Sequence, residues 1–153
     1  MKTNAVRILE SANINFDTFE YAFDDEALDA ITVAEKINAE PEQVFKTLVC
    51  KGDSGYFVFC IPGNFELSLK KAAAASGVKK IEMLPLKELT NVTGYVRGGC
   101  SPVGMKKLFP TFIDETALLF DKIYVSAGVR GMQLFINPND LVRIIGAKFA
   151  DLI

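Results

Sequence analysis

Histidine is absent from all 153 residues, and with it go Ser-His-Asp and Cys-His catalysis, HExxH zinc chemistry and the commonest general base. Any enzyme built on this chain works without imidazole. Cysteine is scarce. Cys50, Cys60 and Cys100 form no CxxC pair, and an odd number without secretory context fits reduced thiols in a cytoplasm better than disulfides or a zinc site. Long apolar runs are missing too: stretches such as Ala72–Ala75 and Ala117–Phe120 end after a few residues, far short of the roughly 20 that a membrane helix needs. Met1-Lys2-Thr3-Asn4 is too polar to open a signal peptide. The expectation is a cytoplasmic protein with no membrane partner, no metal and no other cofactor.

What is present suffices for one domain over residues 1–153. Half of the residues are hydrophobic and 24% are charged, a balance that can bury a core and does not read as disordered. The net charge of −2 is unevenly spread. Residues 1–45 hold three basic and ten acidic side chains, residues 46–107 ten and four, and residues 108–153 four and five. The middle segment carries Lys70-Lys71, Lys79-Lys80 and Lys106-Lys107, doublets that could meet phosphates or simply cover a solvated face.

Short helices alternate with short strands. Thr3 is placed to cap a helix through Ala12, followed by a strand at Phe16–Tyr21 and an acidic loop to Ala30. Thr32-Val33-Ala34-Glu35 has capping-box spacing, and Pro41 suits the first turn of a further helix to about Lys46. Thr47–Lys51 and Tyr56–Ile61 flank Gly52-Asp53-Ser54-Gly55 and read as a β-hairpin. A Lys- and Ala-rich helix follows, capped by Ser68 and stopped at Gly77. Later come strands near Ile81–Leu84, Thr111–Asp114, Lys122–Ser126 and Met132–Ile136, then a helix with Asn137 as cap and Pro138 at its first position. This pattern predicts an α+β domain around a mixed, curved or barrel-like sheet.

Two glycine-dense loops and one lysine stand out. Gly98–Gly104 can turn backbone N–H groups toward an anion or a developing oxyanion, and it can equally be a tight connection. Ser126–Gly131 carries Arg130, suited to a phosphate or carboxylate, and can equally be a hairpin turn. Lys46 is expected at a helix-to-strand junction, where its ammonium either faces a cleft or snorkels over the core. Cys100 has the look of a nucleophile on an elbow, yet only lysines could serve it as base. The carboxylates of Asp17–Asp29 match no calcium-loop spacing.

Taken together, Gln43-Val44-Phe45-Lys46-Thr47-Leu48, the run from Gly94 to Lys107 and Tyr124–Gly131 resemble the YbaK/EbsC family across nearly the whole chain, as does the ending Ala147–Asp151. The family is related to the editing domain of bacterial prolyl-tRNA synthetases and hydrolyses mischarged aminoacyl-tRNA in trans, the YbaK type clearing cysteine from tRNA(Pro). The resemblance implies a mixed β-barrel with surrounding helices and a pocket for the aminoacylated 3′ end of tRNA(Pro). Prolyl-tRNA synthetase is a conceivable partner. It also implies that Lys46 is catalytic and that Tyr21, Thr47, Gly98, Gly99, Ser101, Pro102, Gly104, Ser126, Gly128, Arg130 and Gly131 bind substrate. Two departures bear on specificity. Gln133 stands where cysteine-clearing members carry an acidic residue, and the alignment needs a one-residue gap around Asp29-Ala30.

An aminoacyl ester is already activated, so the missing histidine is no obstacle. A substrate thiol held beside its own carbonyl can displace the tRNA through a thiolactone-like ring, leaving the protein to orient the ester and stabilise the oxyanion. Removal of another small amino acid such as alanine would need a positioned water instead. A tRNA- or nucleotide-binding module without catalysis, and a hydrolase centred on Cys100, are the readings from other classes.

Overall fold

A computed structural model describes residues 2–153. In chain order its elements are α1 (Asn4–Ser11), β1 (Phe16–Glu20), α2 (Ala30–Lys36), β2 (Phe45–Gly52), β3 (Gly55–Pro62), α3 (Leu69–Ser76), β4 (Ile81–Met83), α4 (Leu89–Thr93), β5 (Thr111–Asp114), β6 (Ile123–Ser126), β7 (Met132–Ile136), α5 (Pro138–Ile145) and β8 (Lys148–Ala150). Helix ends follow their local chemistry. Thr3 Oγ1 accepts the Val6 N–H, Ser68 Oγ accepts that of Lys71, and Asn137 Oδ1 accepts those of Asn139 and Asp140. Each hydroxyl or amide oxygen satisfies donors that a helix start leaves unpaired.

The strands form two sheets. One is antiparallel in the order β1-β7-β6; the other runs β4-β2-β3-β5-β8, antiparallel as far as β3 and parallel beyond it. Phe57–Pro62 of β3 are all buried, as a continuous apolar run predicts for a strand paired on both edges. Phe59 of β3 stacks on Phe112 of β5 at 5.6 Å. The two sheets meet at an isolated parallel bridge, Val44 opposite Tyr124. The α+β class with a mixed sheet therefore holds, while the expected barrel is a pair of sheets not closed on itself. No helix among the described residues is long and apolar enough to cross a membrane.

Three local expectations are corrected. The helix expected from Thr32 begins at Ala30, because Asp29 rather than Thr32 is the cap: its carboxylate accepts both the N–H and the hydroxyl of Thr32. Pro41 opens only a 3₁₀ turn, Pro41–Gln43, and the chain is already a strand at Phe45. Lys46 thus lies inside β2 and not at a helix end. Pairing with β3 from Phe45 opposite Pro62 outweighs the weak preference of a five-residue segment for helix. The short strand β8 escaped the sequence reading because three residues carry no visible period.

Candidate active site

β2 is paired with β3 along its whole length, but β4 reaches only Cys50–Gly52 on the other edge. The first half of β2 therefore has an open edge just beyond the Val44–Tyr124 bridge. The two-residue turn sets Gly52 opposite Gly55, which makes that pair and every second pair after it the ones that exchange hydrogen bonds with β3. The N–H and C=O of Thr47 then face the open edge, with the same parity as Val49, whose carbonyl accepts the Leu84 N–H at 3.0 Å.

A cavity of about 530 Å³ runs along this edge. Val44–Val49 of β2 line one side, Leu28–Ile31 another, and Ser126 and Gln133 come from the antiparallel sheet. Arg97, Gly98 and Cys100 of the first glycine loop, with Leu84, Leu86 and Leu89, complete the walls. Three of its charged groups lie toward the outside: Asp29 and Arg97 are exposed and Lys46 is half-buried.

Lys46 Nζ donates to the Gly63 carbonyl at 3.3 Å. Burial pulls its pKa below the ordinary lysine value, against the opposing pull of Glu66 and Asp29. Gly63 can bring its carbonyl there only as glycine: a Cβ would sit 2.6 Å from that of Ala30 and 2.9 Å from the Val44 oxygen. Asp29 stays readily ionised, chiefly because the Thr32 hydroxyl donates to its carboxylate. Thr47 Oγ1 lies 3.7 Å from Cys60 Sγ, its cross-strand partner.

Burial pushes the thiols of Cys60 and Cys100 up to about 12. Cys100 is therefore a neutral thiol near pH 7 and a poor nucleophile.

The glycine loops mostly face each other. A Cβ on Gly99 would stand 3.1 Å from the Arg130 N and the Val129 carbonyl carbon, so the two loops touch backbone to backbone. The Tyr95 hydroxyl donates to the Val103 carbonyl at 2.6 Å, and its ring lies against Gly128. Ser101 Oγ accepts the Val103 N–H. Arg130 donates from Nε to the Arg97 carbonyl at 2.8 Å and from a terminal nitrogen to Asp25 at 3.1 Å. Gly131 offers its carbonyl to the Tyr21 N–H.

Of the expected site residues, Lys46, Thr47, Gly98 and Ser126 line the cavity; Tyr21, Gly99, Ser101, Pro102, Gly104, Gly128, Arg130 and Gly131 do not. The sequence reading missed the wall from Leu28 to Ile31, which it took for a solvated acidic loop. Its signal was the gap around Asp29-Ala30.

A sequence profile described as the aminoacyl-tRNA editing domain matches residues 24–144. EbsC of Enterococcus faecalis, whose name proposes a Cys-tRNA(Pro)/Cys-tRNA(Cys) deacylase, is 48% identical over 152 residues, covering 99% of this chain and 93% of its own. A proline–tRNA ligase of Thermosipho melanesiensis is 27% identical over 107 residues, which are 70% of this chain and 19% of the ligase. A solved structure described as a proposed trans-editing enzyme for prolyl-tRNA synthetase matches with a TM-score of 0.82 at 25% identity, covering 99% of this chain and 98% of its own.

Proposed function

The chain belongs to the aminoacyl-tRNA editing-domain family, and from that premise we propose that it is a trans-editing deacylase that removes cysteine from tRNA(Pro). The observation that carries this reading is the Lys46 ammonium, half-buried against the Gly63 carbonyl inside a cavity beside an unpaired strand edge. A cationic donor fixed in a partly dry site stabilises an oxyanion far more than it would in water.

In this reading the aminoacyl group enters the cavity while the ribose and the rest of the 3′ end stay at its mouth, near Arg97. The cysteine sulfur attacks its own carbonyl carbon, the C–S bond forms, the bond to the ribose oxygen breaks, and the thiol proton ends on that oxygen. The ring so formed has four atoms and is strained, which puts the burden on stabilising the oxyanion. Lys46 supplies a positive charge, and the Thr47 N–H at the open edge is the backbone donor placed to share the work. No imidazole or thiolate of the protein takes part. Water then opens the thiolactone outside the covalent scheme of the protein. Little of the chain outside the cavity is built to read a tRNA body, and selection of tRNA(Pro) fits a synthetase partner.

The test is release of amino acid from tRNA(Pro) charged separately with cysteine, alanine and proline, comparing wild type with Lys46→Ala. The expected result is fast loss of cysteine, slowed about 100-fold or more in the variant. Loss within twofold of wild type in Lys46→Ala would remove the lysine from the mechanism. Preferential loss of alanine would replace the substrate thiol with an oriented water, and no loss from any ester would favour a binding module.

A further inference from the structure

Polar groups in the cavity are graded by depth. Asp29 and Arg97 are exposed and Lys46 is half-buried, whereas Ser126 is 8%, Cys100 9% and Gln133 5% exposed. Along the buried floor the other polar atoms have partners within the protein. Ser126 Oγ accepts the Gly128 N–H at 3.2 Å, Thr47 Oγ1 pairs with Cys60 Sγ, and Cys100 is hydrogen-bonded by Thr93. Gln133 differs. Its Oε1 is fully buried and has no hydrogen-bond partner among the described residues.

A buried acceptor left unpaired is costly in a folded protein, and a native chain retains one where something else completes it. Gln133 sits on β7 directly across from Ser126, at the end of the cavity away from the charged mouth. The α-ammonium of an aminoacyl ester has a carboxylate to meet at Asp29. What reaches the floor is the amino-acid side chain.

We propose that Gln133 determines specificity, its Oε1 accepting a hydrogen bond from a small side chain that carries a donor, a thiol first and a hydroxyl second. This rests on the deacylase reading and names the group that selects its substrate. A methyl group at the same place would leave the acceptor unpaired, which is the stronger form of discrimination: sites that hydrogen-bond a substrate reject an analogue lacking the group better than apolar pockets reject a size change. The apolar walls from Leu28, Ile31 and Leu84 favour sulfur over the better-hydrated hydroxyl.

The experiment measures calorimetric binding of 3′-amino-3′-deoxyadenosine carrying cysteine, serine or alanine in amide linkage, which cannot be hydrolysed in the assay. Wild type is compared with Gln133→Leu and Gln133→Met. Wild type is expected to hold the cysteinyl over the alanyl compound by about tenfold, and the ratio should fall to about one in both variants. Both should also melt higher than wild type, by about 2 to 4 °C, once the unpaired acceptor is gone.

Equal affinity of wild type for the cysteinyl and alanyl compounds would overturn the proposal. So would a ratio preserved in both variants, and so would a lower melting temperature with the ratio intact, which would make Gln133 a packing residue. Deacylation is assayed separately on Cys-tRNA(Pro). A wild-type chain that selects the cysteinyl compound yet releases no amino acid sinks the deacylase reading and leaves this assignment standing.

Discussion

In the two glycine loops the polar groups are used on the loops themselves: Arg130 holds the Arg97 carbonyl, Ser101 holds Val103, and Tyr95 closes on Val103 beside Gly128. Along the first half of β2 the opposite holds, with backbone groups facing a cavity and the Lys46 ammonium reaching only one carbonyl. The loops are dense in recognisable motif because their backbones approach to van der Waals contact, which forbids side chains. The strand edge has no motif beyond its own residues and carries the chemistry because its neighbour stops short. Motif density thus marks where the scaffold is tight, and the reactive surface lies where pairing ends.

The sharpest way to break this contrast is the pH dependence of turnover. Burial lowers the pKa of Lys46 below the model-peptide value of 10.5, and the charge that stabilises the oxyanion is lost as pH rises through that lowered value. Turnover, with spontaneous hydrolysis subtracted, should therefore decline before the ordinary lysine range is reached. A profile level beyond it would place the ammonium outside the reaction.

Gly104→Ala tests the scaffold side. Gly104 has a φ of 81°, and a Cβ there would meet the Tyr95 hydroxyl at 2.9 Å, so urea unfolding should show a loss of about 1 to 3 kcal/mol. Deacylation per folded molecule should fall far less than in Lys46→Ala. A Gly104 variant of unchanged stability but abolished turnover would move the chemistry into the loop.

A smaller effect is expected from Arg130→Ala. The Arg130–Asp25 pair is partly exposed, with side chains 30% and 75% accessible, and such pairs contribute at most about 1 kcal/mol. Turnover within about threefold of wild type would keep Arg130 as a brace between loops, while a loss matching Lys46→Ala would return it to substrate binding.

Cys100→Ser should change turnover least, by less than about twofold. Its signature lies in alkaline stability. The thiol is raised from 9.0 to about 12, so the folded chain binds more protons than the unfolded one between those values, and the stabilisation present below pH 9 is lost as pH rises through 12. The variant should lose part of that decline in melts across this range.

Much of this protein is local and was legible in the chain. Thr3, Ser68 and Asn137 cap their helices because each oxygen lies within three residues of the N–H groups it accepts, and the Gly52–Gly55 turn sets the register of β2 and β3 by itself. The editing family was readable from Lys46 and the glycine segments. Asp29 as the cap, the strand at Phe45 and the inward placing of Leu28–Ile31 were not, since each depends on what the segment packs against.

The sequence alone determined the α+β class, the hairpin, the absence of imidazole chemistry and the lysine on which the function turns. Only the tertiary structure decided that β4 ends before Lys46, that the glycine loops brace each other, and that Gln133 is buried without a partner at the cavity floor. Caps, turns and periodicity are interactions over a few residues and are written in their order. An open strand edge and an unpaired buried atom are set by what distant segments fail to cover, and such absences exist only once the chain has folded.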